Sequence, residues 1–115
     1  MTTGNEFTGD LMGLHSLIAN IKLDGNWVHG LMDGFQVQIK LFVEESTDGI
    51  GNGRISKLWI ATDEHWMQRR VIVNYSRGWD RLDDVGLALK LTNKILAAIC
   101  EPILTEIPQD FEDDD

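Results

Sequence analysis

Apolar and polar positions alternate most clearly between Phe35 and Val43. Phe35, Val37, Ile39, Leu41 and Val43 are interleaved with Gln36, Gln38 and Lys40, the period of two that marks a half-buried strand. Just upstream, Asp33-Gly34 is a dipeptide favoured in two-residue hairpin turns, because both residues tolerate positive φ. The turn predicts a register in which Met32 opposes Phe35, Gly30 opposes Val37 and Val28 opposes Ile39 on one apolar face. The other face then carries Trp27, His29 and Leu31 against Lys40, Gln38 and Gln36, a mixed surface with a large aromatic on it.

Before this hairpin, Leu11, Leu14, Ile18 and Ile21 share one face of a short helix that starts at Asp10 and is ended by Asp24-Gly25-Asn26. After it, a loop rich in Gly, Asp and Asn spans residues 46–53. Residues 54–61 and 66–75 read as two further strands joined by a turn at 62–65, and such short connections favour an antiparallel meander. Arg77-Gly78-Trp79-Asp80 breaks the strand pattern, and Asp83-Asp84 supplies an N-cap for a helix over 84–100 with Leu87, Leu91, Ile95 and Ala98 on one face. The predicted class is α+β: a short N-terminal helix, a four-stranded antiparallel meander sheet, and a long C-terminal helix packed on one face. Residues 10–101 form a single domain, with a flexible N-terminus at 1–9 and an acidic, disordered tail at 102–115.

Charge refines this division. The chain of 115 residues carries a formal net charge of -9, yet residues 1–36 sum to -3, residues 37–100 to +1 and residues 101–115 to -7. A mimic of DNA needs carboxylates spread over its folded surface, so a near-neutral body speaks against mimicry, and the overall acidity against direct nucleic-acid binding. An apolar content of 43% supplies a core without staples, and the single cysteine, Cys100, cannot form an internal bridge. No apolar run approaches the roughly 20 residues needed to cross a bilayer, so no membrane association is expected. With no secretory leader in the pattern, the cytoplasm is the expected compartment.

At Gly49-Ile50-Gly51-Asn52-Gly53-Arg54-Ile55-Ser56-Lys57-Leu58 and at Val73-Asn74-Tyr75-Ser76-Arg77-Gly78-Trp79-Asp80 the chain resembles an uncharacterised family of small phage and prophage proteins, over residues 26–98. The resemblance brings no functional residue with it. It implies a context, a short protein of a mobile element in a bacterial host that modifies or blocks a host process.

Six of the ten basic residues, Arg54, Lys57, Arg69, Arg70, Arg77 and Arg81, fall within 28 positions, interleaved with Trp59, Trp66, Tyr75 and Trp79. Guanidinium forks beside aromatic faces suit phosphate and base recognition, which makes Arg54, Lys57, Arg69, Arg77, Trp79 and Arg81 a candidate ligand site. On a strand, Arg69 and Arg70 point to opposite faces, so a pocket using both needs a second subunit and hence a homodimer. The mixed hairpin face with Trp27 and His29, together with Phe42, is the candidate partner surface. The glycine loop joins two strands rather than a strand and a helix, which suits a flexible connection better than a phosphate cradle. His15, His29 and His65 lack metal-ligand spacing, and no nucleophile has an activating neighbour. The expectation is a protein that is not an enzyme and uses no cofactor. It blocks a host protein or complex, such as a defence component, or alternatively acts as a sponge for a signalling nucleotide.

Overall fold

The computed structural model describes residues 8–65, 67–80 and 82–108, with the backbone alone at 8–11. In chain order it contains α1 (Thr8–Leu17), β1 (Ala19–Asp24), β2 (Trp27–Met32), β3 (Phe35–Leu41), β4 (Ile55–Thr62), β5 (Val71–Ser76) and α2 (Val85–Ala98), with a 3₁₀ turn at Ile50–Asn52 before β4. The strands form one antiparallel sheet in the order β1-β2-β3-β4-β5. Asp33 and Gly34 both take positive φ, 54° and 85°, and the two-residue turn sets Met32 against Phe35, Gly30 against Val37 and Val28 against Ile39, as the sequence predicts.

The class is α+β, but the sheet has five strands rather than four. The additional strand is β1, which occupies the stretch where the spacing of Ile18 and Ile21 suggested continued helix. Asn20 sits at φ 55°, a left-handed conformation that no helix continues through, and Gly25, at φ 61°, folds β1 back on β2 so that Asp24 pairs with Trp27. Asp24-Gly25-Asn26 is thus a hairpin turn and not a helix terminator. At the other side, β5 starts at Val71 rather than at 66. Residues 63–70 form a longer connection, closed by Thr62 N–H donating to the Arg70 carbonyl at 2.9 Å and Arg70 N–H donating to Thr62 Oγ1 at 2.8 Å. Arg69 and Arg70 therefore precede the strand, and the two-faces argument for a dimeric site does not apply to them.

One face of the sheet carries the core. Val28, Val37, Ile39, Leu58, Ile60 and Val73 are at most 3% exposed, and they pack with Leu14 and Ile18 from the α1 end and Leu91, Ile95, Leu96 and Ile99 from the α2 end. The Asp84 carboxylate accepts from Leu87 N–H at 3.0 Å and caps α2. The helix ends in a Schellman pattern, with Glu101 N–H bonded to the Leu96 carbonyl and Cys100 N–H to that of Ala97. Cys100 takes the left-handed position, φ 61°, that glycine usually fills, and its thiol is exposed.

The folded body continues past the expected boundary at 101. The Asn93 side chain bonds both backbone groups of Leu104, donating to the carbonyl at 2.9 Å and accepting from N–H at 2.8 Å, and Ile107 is 4% exposed in the core. The acidic-tail assignment thus fails for 102–108, where two apolar side chains and a carboxamide clamp outweigh the local charge. Residues 109–115, like 1–7, Trp66 and Arg81, lie outside the described residues.

Two contacts yield quantitative expectations. A Cβ on Gly13 would lie 2.0 Å from the Ala98 carbonyl oxygen, so the backbones of α1 and α2 meet here. Gly13→Ala should destabilise the protein by about 1–3 kcal/mol through overpacking, measured as a lower urea midpoint. On the sheet side, the Tyr75 hydroxyl donates to the Asp48 carbonyl at 2.7 Å and pins the 42–54 loop. Burial, reinforced by the Asp48 charge, raises the phenol pKa above 10.0. The folded state therefore holds this proton more tightly than the unfolded chain. The resulting stability is complete below about pH 10 and lost as pH rises through the folded value. Urea midpoints should fall more steeply above pH 10 in the wild type than in Tyr75→Phe.

Candidate functional site

Because α1 and α2 pack on one side, no helix among the described residues lies over the opposite face of the sheet. Strand alternation and register assemble two complete rows of side chains there. The first is Asp24, Trp27, Lys40, Lys57 and Ser76, and the second is Lys22, His29, Gln38, Trp59 and Asn74, each with one residue from every strand. Neighbours in a row stand about 4.8 Å apart and the rows about 7 Å apart. Trp27, His29, Lys40, Lys57, Gln38 and Trp59 are all half-buried.

Aromatic rings and cations alternate across this face. Trp27 and His29 stack with centroids 6.0 Å apart, Lys40 Nζ lies 5.9 Å from the Trp27 ring centre, and Arg69 Cζ lies 5.8 Å from that of Trp59. Lys40 and Lys57 are direct cross-strand partners, an arrangement of like charges that opposes pairing. Among the described residues, no carboxylate pairs with Lys22, Lys40, Lys57 or Arg69, and Arg69 Nε is buried without an acceptor. Asp63 accepts from Gln36 Nε2 and Asp80 from Asn74 Nδ2, both at 2.8 Å, so these acids hold carboxamides at the margins.

Two shallow depressions adjoin on this surface. One, of about 290 Å³, is lined by Trp27, Gln38, Lys57, Trp59, Asn74 and Ser76. The other, of about 260 Å³, is lined by Lys22, His29, Leu31, Gln36 and again Gln38.

The structure divides the basic cluster expected from the sequence. Lys57 and Arg69 belong to the open face, with Trp59 between them. Arg54 does not: its N–H and Nε donate to Glu101 Oε2 at 2.9 and 3.2 Å, and Nη2 to the Ile99 carbonyl at 3.4 Å, tying the entry of β4 to the end of α2. Trp79 packs edge-on against Tyr75, centroids 4.9 Å apart, and Tyr75 pairs with the core residue Leu58. Arg77 is exposed at the turn after β5, with φ 64°, and Arg81 is outside the described residues. Of the expected partner surface, Trp27 and His29 stand together, whereas Phe42 is half-buried beyond the end of β3.

The glycine loop is a packed turn rather than a flexible connection. Ile50 is 2% exposed, and the N–H groups of Gly49, Asn52 and Gly53 donate to the carbonyls of Ser46, Gly49 and Ile50. Those donors are engaged within the loop, which removes the phosphate-cradle geometry. Among the described residues no group of three or more His, Cys, Asp or Glu is placed to hold a metal ion, and no helix is long and apolar enough to cross a membrane.

The division of the basic residues can be measured. Arg54→Ala strands the Glu101 carboxylate, whose side chain is 7% exposed, and should lower stability by about 3 kcal/mol. Lys57→Ala removes a like-charge neighbour and should leave the urea midpoint unchanged or raised. No curated protein and no solved structure matches the chain. Residues 26–102, from the β1–β2 turn to the end of α2 and its cap, match a family described as a domain of unknown function, DUF7678.

Proposed function

Given that the chain belongs to the DUF7678 family, whose description states no activity, we propose from the geometry that this is a non-enzymatic binding protein acting through the open face of its sheet. The observation that carries the reading is the Lys40–Lys57 cross-strand pair, two cations with no carboxylate partner among the described residues, beside Trp27 and Trp59. Folding alone favours an acid at one of these positions, whereas an anionic partner turns the repulsion into attraction on binding. Two indoles beside the lysines add apolar area with little side-chain entropy to lose. All these residues come from one chain, so the surface needs no second subunit.

In the setting that the phage and prophage resemblance implies, the occupied molecule is a component of the bacterial cytoplasm, and occupation blocks it sterically. A defence component is the target class that fits such a role. A second reading, sequestration of a signalling nucleotide, is favoured by one observation: Lys57, Arg69 and Trp59 remain together beside a depression of about 290 Å³. That site differs from the one read from the sequence, because Arg54 and Trp79 have structural partners elsewhere.

A photoreactive residue placed at Gln38, in the centre of the face, should crosslink to one dominant species in bacterial cells making the protein. The same residue at Lys90, exposed on α2, should not. Lys40→Glu and Lys57→Glu should each abolish the Gln38 crosslink. Equal crosslinking from Lys90, or none from Gln38, would overturn the reading.

A further inference from the structure

We propose that the open sheet face binds single-stranded nucleic acid, with bases stacked on Trp27 and Trp59 and phosphates on Lys22, Lys40, Lys57 and Arg69. This rests on the open-face reading and names the chemistry of its partner. It also departs from what overall charge suggests. The chain has nineteen acids to ten bases, yet the two rows hold one acid, Asp24, at the sheet edge. Seven of the acids fall in residues 101–115, after the last strand. The charge that matters to a close ligand is the local one, because exposed charges more than about 10 Å away are screened at moderate salt.

Four features separate a nucleic-acid strand from other anions. Carboxylates of an acidic peptide would satisfy the lysines but offer no aromatic ring to the indoles, whereas every base has a π face. The carboxamides supply edge recognition. Gln36 and Asn74 donate their N–H to Asp63 and Asp80, which fixes their orientation and leaves their carbonyl oxygens as acceptors. Trp27 and Trp59 lie two strands and two residues apart, about 12 Å, too far for one base to contact both faces, so two bases are needed. The two depressions repeat one formula, aromatic, lysine and carboxamide, and share Gln38 between them. A repeated site on a flat sheet suits a polymer with one base per unit. Single strands are required because bases in a duplex have no free face to stack on a side chain.

The bound state also changes the protein's own contacts. Lys40 and Arg69 now lie over indole rings, and a base stacking on Trp27 or Trp59 displaces each cation sideways, towards the phosphate attached to that base. Ring and cation then have separate partners on neighbouring parts of one nucleotide, and the repulsion between Lys40 and Lys57 is neutralised.

The test is fluorescence anisotropy of the full chain with labelled single-stranded RNA and DNA of about ten nucleotides, in a salt series starting at about 50 mM. Saturable binding of at least one strand is expected, with duplex of the same sequence bound more weakly. Trp59→Ala should weaken binding about tenfold or more. Lys57→Gln, a milder change that should fold normally, should reduce the slope of log K against log salt by about 0.7. Absence of saturable binding to both strands overturns the proposal. So does a polyaspartate peptide that competes as well as the strand, or a mononucleotide that binds as tightly as the oligomer. If the strands fail but Gln38 crosslinks to a protein in cells, the open-face reading stands and only its nucleic-acid form falls. If the Gln38 crosslink is also missing, both fall together.

Discussion

A sheet of five strands has two faces, and the two α-helices among the described residues, of ten and fourteen residues, both pack on the same one. Burial on that side is complete, with Ile39, Leu58 and Ile60 at zero exposure under Leu91 and Ile95. The other side must therefore be stable in water. An antiparallel sheet can tolerate this, because alternation lets one face be apolar and the other polar. Much else follows from that asymmetry, including the position of every side chain in the two cross-strand rows.

A wet face could be made of serines, threonines and paired charges. Here it holds two tryptophans, a histidine and cations that have no carboxylate partner among the described residues, whereas two cations elsewhere are ion-paired. Arg54 is held by Glu101, and Lys94 by Asp33 across the molecule. The aromatic rings and cations concentrated on the open side locate binding better than depth does, since both depressions are shallow. It also explains how an acidic protein can present an anion-attracting surface: net charge governs long-range approach, whereas the residues at the face govern what stays.

How much of this was legible in the sequence depended on what set each element's register. Asp33-Gly34 is a complete turn, so the β2–β3 pairing could be read residue by residue, and with it the neighbourhood of Trp27, His29, Lys40 and Gln38. The long connection between β3 and β4 imposes no such register, and the ladder there slips at Ser56, the extra residue between Ile55 and Lys57. Hence Lys57 and Trp59 could not be assigned to the Trp27 face beforehand. The linear reading of the basic cluster fails for a different reason, because Arg54 precedes β4 and its partners Glu101 and Ile99 are distant in sequence. Arg54 and Lys57 are three residues apart, yet one serves the end of α2 and the other the opposite face. β1 was hidden for another reason: Ile18 and Ile21 fit a helical spacing, and only the left-handed Asn20 separates the two solutions. The clamp on Leu104 depends on Asn93, a long-range partner that local composition does not reveal.

The order of the elements along the chain has a consequence for synthesis. All five strands precede α2, the helix that supplies Leu91, Ile95 and Leu96 to the core. A ribosome therefore completes every hairpin while the face bearing Ile39, Leu58 and Ile60 still awaits that cover. The nascent protein passes through a late stage at which its sheet is adhesive on one side, and α2 ends that stage. A product truncated before Val85 is accordingly not a smaller version of the domain but a species prone to aggregate, a natural substrate for chaperones and proteases.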